Sequence, residues 1–126
     1  MRWLVRRNEG DMKPLPLSSE LLAHAYDYLT CLPPFDKMNM PPSEDIKFRV
    51  IKSRKIFARY FMDGGAHHID VSSNMVGSHI VLLSTIAHEA IHMHLAEIDA
   101  CDLHGPTFQA LADKVCSIHQ FDRLTF

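Results

Sequence analysis

Residues 78–97 form an apolar stretch of helical length that carries His88, Glu89 and His92 in its middle, and this combination limits what the chain can fold into. Ser78 is a suitable cap for a helix running to about Glu97. On a helical wheel, Ser84, Thr85, His88, Glu89 and His92 fall within an arc of about 140°, and Ile80, Leu82, Leu83, Ile86, Ala87, Ala90 and Ile91 cover most of the remainder. Such a helix is surrounded by core and has one polar groove. Unsatisfied polar groups in a poorly hydrated place cost about 1 to 3 kcal/mol each, and charges cost more, so the fold must give that groove partners. Two readings compete. In one, two core histidines are satisfied by hydrogen bonds beside a paired glutamate. In the other, a cation occupies the groove.

The spacing favours the cation. Histidines at i and i+4 share a helix face with Cβ atoms about 5 to 6 Å apart, close enough for both imidazoles to meet one zinc ion. Glu89 lies about 100° further round the helix. There it stands beside the metal rather than on it, where a general base is needed. With nine histidines and five glutamates in 126 residues, random placement gives about 0.025 such matches, so the H-E-x-x-H pattern is informative but needs its context.

Catalytic zinc takes three protein ligands and leaves a fourth position open. His104 is the best third ligand: it lies twelve residues past His92, in His104-Gly105-Pro106-Thr107-Phe108, where the chain can turn back before a new helix. The metzincin spacing would need histidine where the chain has Ile98. Glu97, Asp99, Asp102 and Asp113 are acidic alternatives, and Asp102 could instead orient a ligand imidazole.

Around this helix, the 126 residues read as a single domain (1–126) with an ordinary globular balance of 47% hydrophobic and 22% charged residues. Gly10, Pro14 and Pro16 make residues 1–17 an irregular entry segment. Ser18 or Ser19 caps a helix with Leu21, Leu22, Ala25, Tyr28 and Leu29 inward, which Pro33-Pro34 ends. Ile46 to Ile51, Lys55 to Met62 and His67 to Ser72 read as strands, and Asp63-Gly64-Gly65 as a turn, so the middle is expected to be a three-stranded antiparallel meander. A last helix starts at Gly105-Pro106 with Phe108, Leu111, Ala112 and Val115 inward. The expected class is α+β, with a small sheet packed on the central helix and helices flanking it on either side in sequence.

Cys31, Cys101 and Cys116 form no C-x-x-C pair and read as reduced, partly buried small hydrophobes. Trp3 and the methionines are expected to fill core or partly buried positions. No stretch has the apolar length of a signal sequence or a membrane span, so a cytoplasmic protein with no membrane partner is expected. The net charge of −2 hides an asymmetry: Lys47, Arg49, Lys52, Arg54, Lys55 and Arg59 fall between residues 46 and 62 with no acid among them. That stretch reads either as a surface for nucleic-acid phosphates or as the solvated face of strands.

His88-Glu89-Ala90-Ile91-His92, then His104-Gly105-Pro106-Thr107-Phe108, preceded by a Gly-Gly turn and the strand His68-Ile69-Asp70-Val71, resembles the SprT-like zinc metallopeptidase family of SprT and Spartan type over roughly residues 46 to 120. The resemblance implies a zincin-like fold whose sheet offers an edge strand to an extended peptide. It also implies Zn2+ on His88, His92 and His104, Glu89 as catalytic acid/base, and protein substrates that include DNA-associated proteins. The 126 residues hold neither a four-cysteine ribbon nor a long tail of partner motifs, both seen in members of the family. The competing function is a zinc-containing module of the same fold that binds nucleic acid or a protein partner, in a regulatory or anti-defence role, with little or no proteolysis. Tyr60, His67 and His68 are the candidates for stabilising an oxyanion.

Overall fold

The structure is a computed structural model and describes residues 13–100 and 103–126. Trp3, Cys101 and Asp102 lie outside the described residues, as does most of the irregular entry segment. Helix α1 (Ser19–Thr30) starts where Ser18 accepts a hydrogen bond from the Leu21 N–H (3.1 Å), and the chain reaches Pro33-Pro34 just beyond its end. Two short 3-10 turns, Phe35–Lys37 and Ser43–Asp45, lead into the strands β1 (Ile46–Ile51), β2 (Ala58–Asp63) and β3 (Ala66–Ser72). Helix α2 (His79–Glu97) follows, with the Ser78 hydroxyl accepting from the Val81 N–H, and α3 (Pro106–His119) closes the set with proline in its first turn.

The class is α+β, but the sheet is mixed and not the expected antiparallel meander. Its order is β1-β3-β2: β2 pairs antiparallel to β3, and β1 pairs parallel to β3. Gly64 (φ 60°) and Gly65 (φ 79°) take the left-handed conformation of a tight hairpin turn, which can join only neighbouring strands. Residues 52–57 are longer. They cross the end of β3, a span of two strand spacings or about 9.5 Å. Ser72 fastens that crossing: its hydroxyl donates to the Ser53 C=O (2.6 Å), and its N–H donates to the Phe57 C=O (2.8 Å). The same loop shortens β2, which begins at Ala58 and not at Lys55.

As the central strand, β3 is covered on both faces. His67, Ile69 and Val71 are buried toward the helices with Ile46 of β1. On the opposite face the Asp70 carboxylate, 1% exposed, accepts from Arg49 on β1 (2.8 and 3.2 Å) and from Arg59 on β2 (2.8 Å). α2 packs against α1, β2, β3 and α3, and places Leu82, Ile86, Ala87, Ala90, Ile91, Met93 and Leu95 in one core with Leu22, Tyr26 and Leu29 of α1 and Phe108, Ala112 and Val115 of α3. Of the cysteines, Cys116 is buried and Cys31 is exposed, which corrects the expectation for Cys31 because it lies just past the end of α1. Met62 on the edge strand is likewise exposed, outside the core or partly buried positions expected for the methionines. No described helix is long and apolar enough to cross a membrane.

Candidate active site

The i, i+4 spacing sends His88 and His92 off the same side of α2, toward the segment that leads into α3. His104 comes back from that segment to meet them. The three Nε2 atoms form a nearly equilateral triangle: 3.3 Å from His88 to His92, and 3.2 Å from His104 to each. They form a group able to hold a metal ion. Tetrahedral zinc with Zn–N bonds of about 2.0 to 2.1 Å holds its nitrogens about 3.3 to 3.4 Å apart, so these residues fit three of its four corners.

The protonation pattern fits as well. The main-chain oxygen of Phe126, which can only accept, takes a hydrogen bond from His88 Nδ1 (2.9 Å). With the Nδ1 proton fixed there, a neutral His88 turns its Nε2 lone pair into the triangle. Burial holds the His88 pKa below the usual imidazole value against the opposing pull of the Phe126 oxygen, and the charges of His104 and Arg123 lower it further. The neutral, ligating form is thereby favoured.

Phe108 is the platform under the cluster. Its ring stacks on His92 (4.7 Å between centroids), tilts against His88 (4.9 Å) and meets His104 edge-on (4.7 Å). Gln109, next on α3, donates to the His104 C=O (3.0 Å), and Arg123 pairs with Asp113 (2.6 Å) while also bonding Gln109. The C-terminal segment thus braces His88 and, through Gln109, the main chain of His104.

Glu89 is only 6% exposed and faces β2. Burial pushes its pKa up to about 7, opposed by a hydrogen bond from the Tyr60 main-chain N–H. The Phe57 C=O bonds to β3, so by the alternation of an antiparallel ladder Ala58, Tyr60 and Met62 turn their N–H and C=O toward the free edge of β2. A cleft follows that edge. On one side of His88 and Glu89 it is lined by Ala58, Arg59, Tyr60, His92, Leu103 and His104. On the other side it is a pocket of about 310 Å³ that reaches Ser84, Thr85 and Phe126.

The structure therefore gathers His88, Glu89, His92 and His104 at one place. The acidic alternatives among the described residues lie elsewhere: Glu97 bonds His67 (2.5 Å), and Asp113 bonds Arg123. Asp99 ends α2 in a left-handed conformation, exposed. Among the oxyanion candidates, only Tyr60 lines the cleft, and its hydroxyl is bonded to His67 Nδ1 (2.8 Å). His68 stacks on Phe61 across the outer face of the sheet. Lys47, Arg49 and Arg59 share the outer sheet face, where both arginines are held by Asp70, and Lys52, Arg54 and Lys55 sit in the crossing loop. Phe126 and Gln109 escaped the sequence reading, because one acts through a main-chain atom and the other through a main-chain partner.

Fold and site together define an α+β protein with three histidines placed so that they could hold a metal ion, beside a buried carboxylate. The SprT-like family profile matches residues 34–124, and the chain belongs to the SprT-like family. Among curated proteins no match is found.

Proposed function

We propose that the protein is a zincin-like, zinc-dependent metallopeptidase that hydrolyses peptide bonds in protein substrates. The observation that carries this reading is the Nε2 triangle of His88, His92 and His104, sized for zinc, with the Glu89 carboxyl next to it on a cleft along an open strand edge. Zinc held by the three imidazoles supplies Lewis acidity and acidifies water.

The remaining steps belong to the chain's own groups. The outward N–H and C=O of Ala58 pair with an extended peptide added to β2 and draw its carbonyl over His88 and Glu89. Glu89 takes a proton from the attacking water as the oxygen–carbon bond forms. It returns that proton to the amine nitrogen as the carbon–nitrogen bond breaks. A group with a pKa near neutrality is suited to both transfers, and the Tyr60 N–H keeps the carboxyl aimed along the cleft. The test is casein hydrolysis by protein of measured zinc content beside Glu89→Gln. Retained zinc with lost cleavage is expected, and a Glu89→Gln protein that cleaves at the wild-type rate would remove Glu89 from the reaction.

One observation favours an association with DNA, and hence DNA-associated substrates. Lys47, Lys52, Arg54 and Lys55 are exposed and not tied to Asp70, unlike Arg49 and Arg59. Four phosphate contacts to single-stranded DNA give a slope of log affinity against log salt of about −3. A slope near zero, or equal binding after all four are changed to glutamine, would rule this association out.

A further inference from the structure

Resting on the peptidase reading, we propose that the pocket on the Ser84 side of Glu89 is a specificity pocket. It takes one substrate side chain next to the scissile bond, and it selects a large aromatic one, tyrosine above phenylalanine.

The pocket is continuous with the rest of the cleft, since Ala58, His88 and Glu89 line both parts. A peptide paired to the outward main chain of Ala58 alternates its side chains. Those on one side of the reacting carbonyl come over His92 and His104, one turn after Glu89, and those on the other come over Ser84 and Thr85, one turn before it. Ile56, Phe57, Ala58 and Phe126 give the second position apolar walls, and its volume of about 310 Å³ accommodates an aromatic ring.

The hydroxyls single out tyrosine. Ser84 Oγ already donates to the Val81 C=O (3.2 Å). Thr85 lines the pocket, is 8% exposed, and its hydroxyl has no hydrogen-bond partner among the described residues. A buried hydroxyl without a partner is disfavoured, and a phenolic tip supplies one where a phenyl ring does not.

Two measurements test this. In the first, zinc-loaded Glu89→Gln protein, which should bind without cutting, is titrated calorimetrically with extended peptides that differ only by tyrosine, phenylalanine or alanine at one position. Tyrosine should bind about fivefold tighter than phenylalanine, and phenylalanine about 30-fold tighter than alanine, the scale of burying one aromatic side chain. Adding the near-isosteric Thr85→Val should erase the tyrosine advantage and leave phenylalanine unchanged. Adding Ile56→Trp at the half-buried rim should bring all three down to the alanine value. In the second, mass spectrometry of wild-type casein digests should show tyrosine and phenylalanine enriched at one position flanking the cut bonds.

Equal affinities for the three peptides, or no binding of any, overturn the pocket. If casein is nevertheless cut, the peptidase reading survives that result. Selective binding by a zinc-loaded wild-type protein that cuts nothing has the opposite meaning: the pocket stands and the peptidase reading falls.

Discussion

Replacing Glu89 by glutamine should stabilise the metal-free protein, and do so more strongly as the pH rises. The buried carboxyl has its pKa raised from 4.5 to about 7, chiefly by desolvation, with the Tyr60 N–H opposing. A folded-state pKa above the unfolded one means that the native state holds the proton more tightly. Its contribution to stability is complete below about pH 4.5 and is lost as the pH climbs through 7. A rise of about 2.5 at 1.36 kcal/mol per pH unit sets a limiting cost of about 3 kcal/mol for carrying the ionised group, of which about 2.5 kcal/mol develops between pH 5 and pH 8. Glutamine keeps an acceptor for the Tyr60 N–H and never ionises.

Urea unfolding of chelator-treated wild type and Glu89→Gln, followed by circular dichroism at pH 5, 6.5 and 8, gives the stability gap between the two at each pH. That gap should widen by about 2 to 3 kcal/mol from pH 5 to pH 8. Whatever the other groups of the metal-free site contribute independently of Glu89 is common to both proteins and cancels. A constant gap would show that the carboxyl is as well solvated folded as unfolded. A gap that narrows would show it paired with an imidazolium. Either result refutes the claim that desolvation dominates at Glu89. The predicted trade is that the group which weakens the metal-free fold at neutral pH is the one the proposed reaction uses.

His104→Ala leaves two imidazoles on α2 and should drop bound zinc from about one equivalent to a small fraction by elemental analysis, with the far-ultraviolet spectrum unchanged. Asp70→Asn should cost about 1 to 2 kcal/mol in urea melts, a modest figure because Arg49 and Arg59 are more than half exposed. Burial alone would raise the Asp70 pKa, but the two guanidiniums hold it below the usual carboxylate range. The wild-type advantage should therefore be present above about pH 4 and vanish as the pH falls and the carboxyl takes up its proton. Phe108→Ala should lose about 3 to 5 kcal/mol. It should also weaken zinc binding in a competition titration, because all three imidazoles rest on that ring, whereas an Ala112→Gly control should leave zinc affinity unchanged.

Residues close in sequence were readable wherever the periodicity of one helix placed them. His88, Glu89 and His92 needed only the 3.6-residue repeat, and His104 needed only a turn ending at Gly105-Pro106. Phe126 lies 38 residues from His88 and reaches it through a main-chain oxygen, so no side-chain pattern could announce it. The six basic residues were legible as a run along residues 46–62, but their partner was not: a single aspartate on β3 holds two of them.

The strand order is the instructive error, because the charges contained the answer. Neighbours in sequence suggest β1-β2-β3, in which Arg49 and Arg59 lie on adjacent strands and Asp70 reaches only one of them. Like charges opposite each other oppose pairing, and a buried carboxylate with one cation is poorly compensated. Placing β3 in the middle sets Asp70 in register with Arg49 on one side and Arg59 on the other. That order also leaves β2 at the edge beside α2, with Ala58 and Tyr60 facing outward, where Glu89 meets the Tyr60 N–H. An aspartate on the face of the sheet away from the helices therefore helps decide which strand borders the cleft, and with it which main chain a peptide can reach.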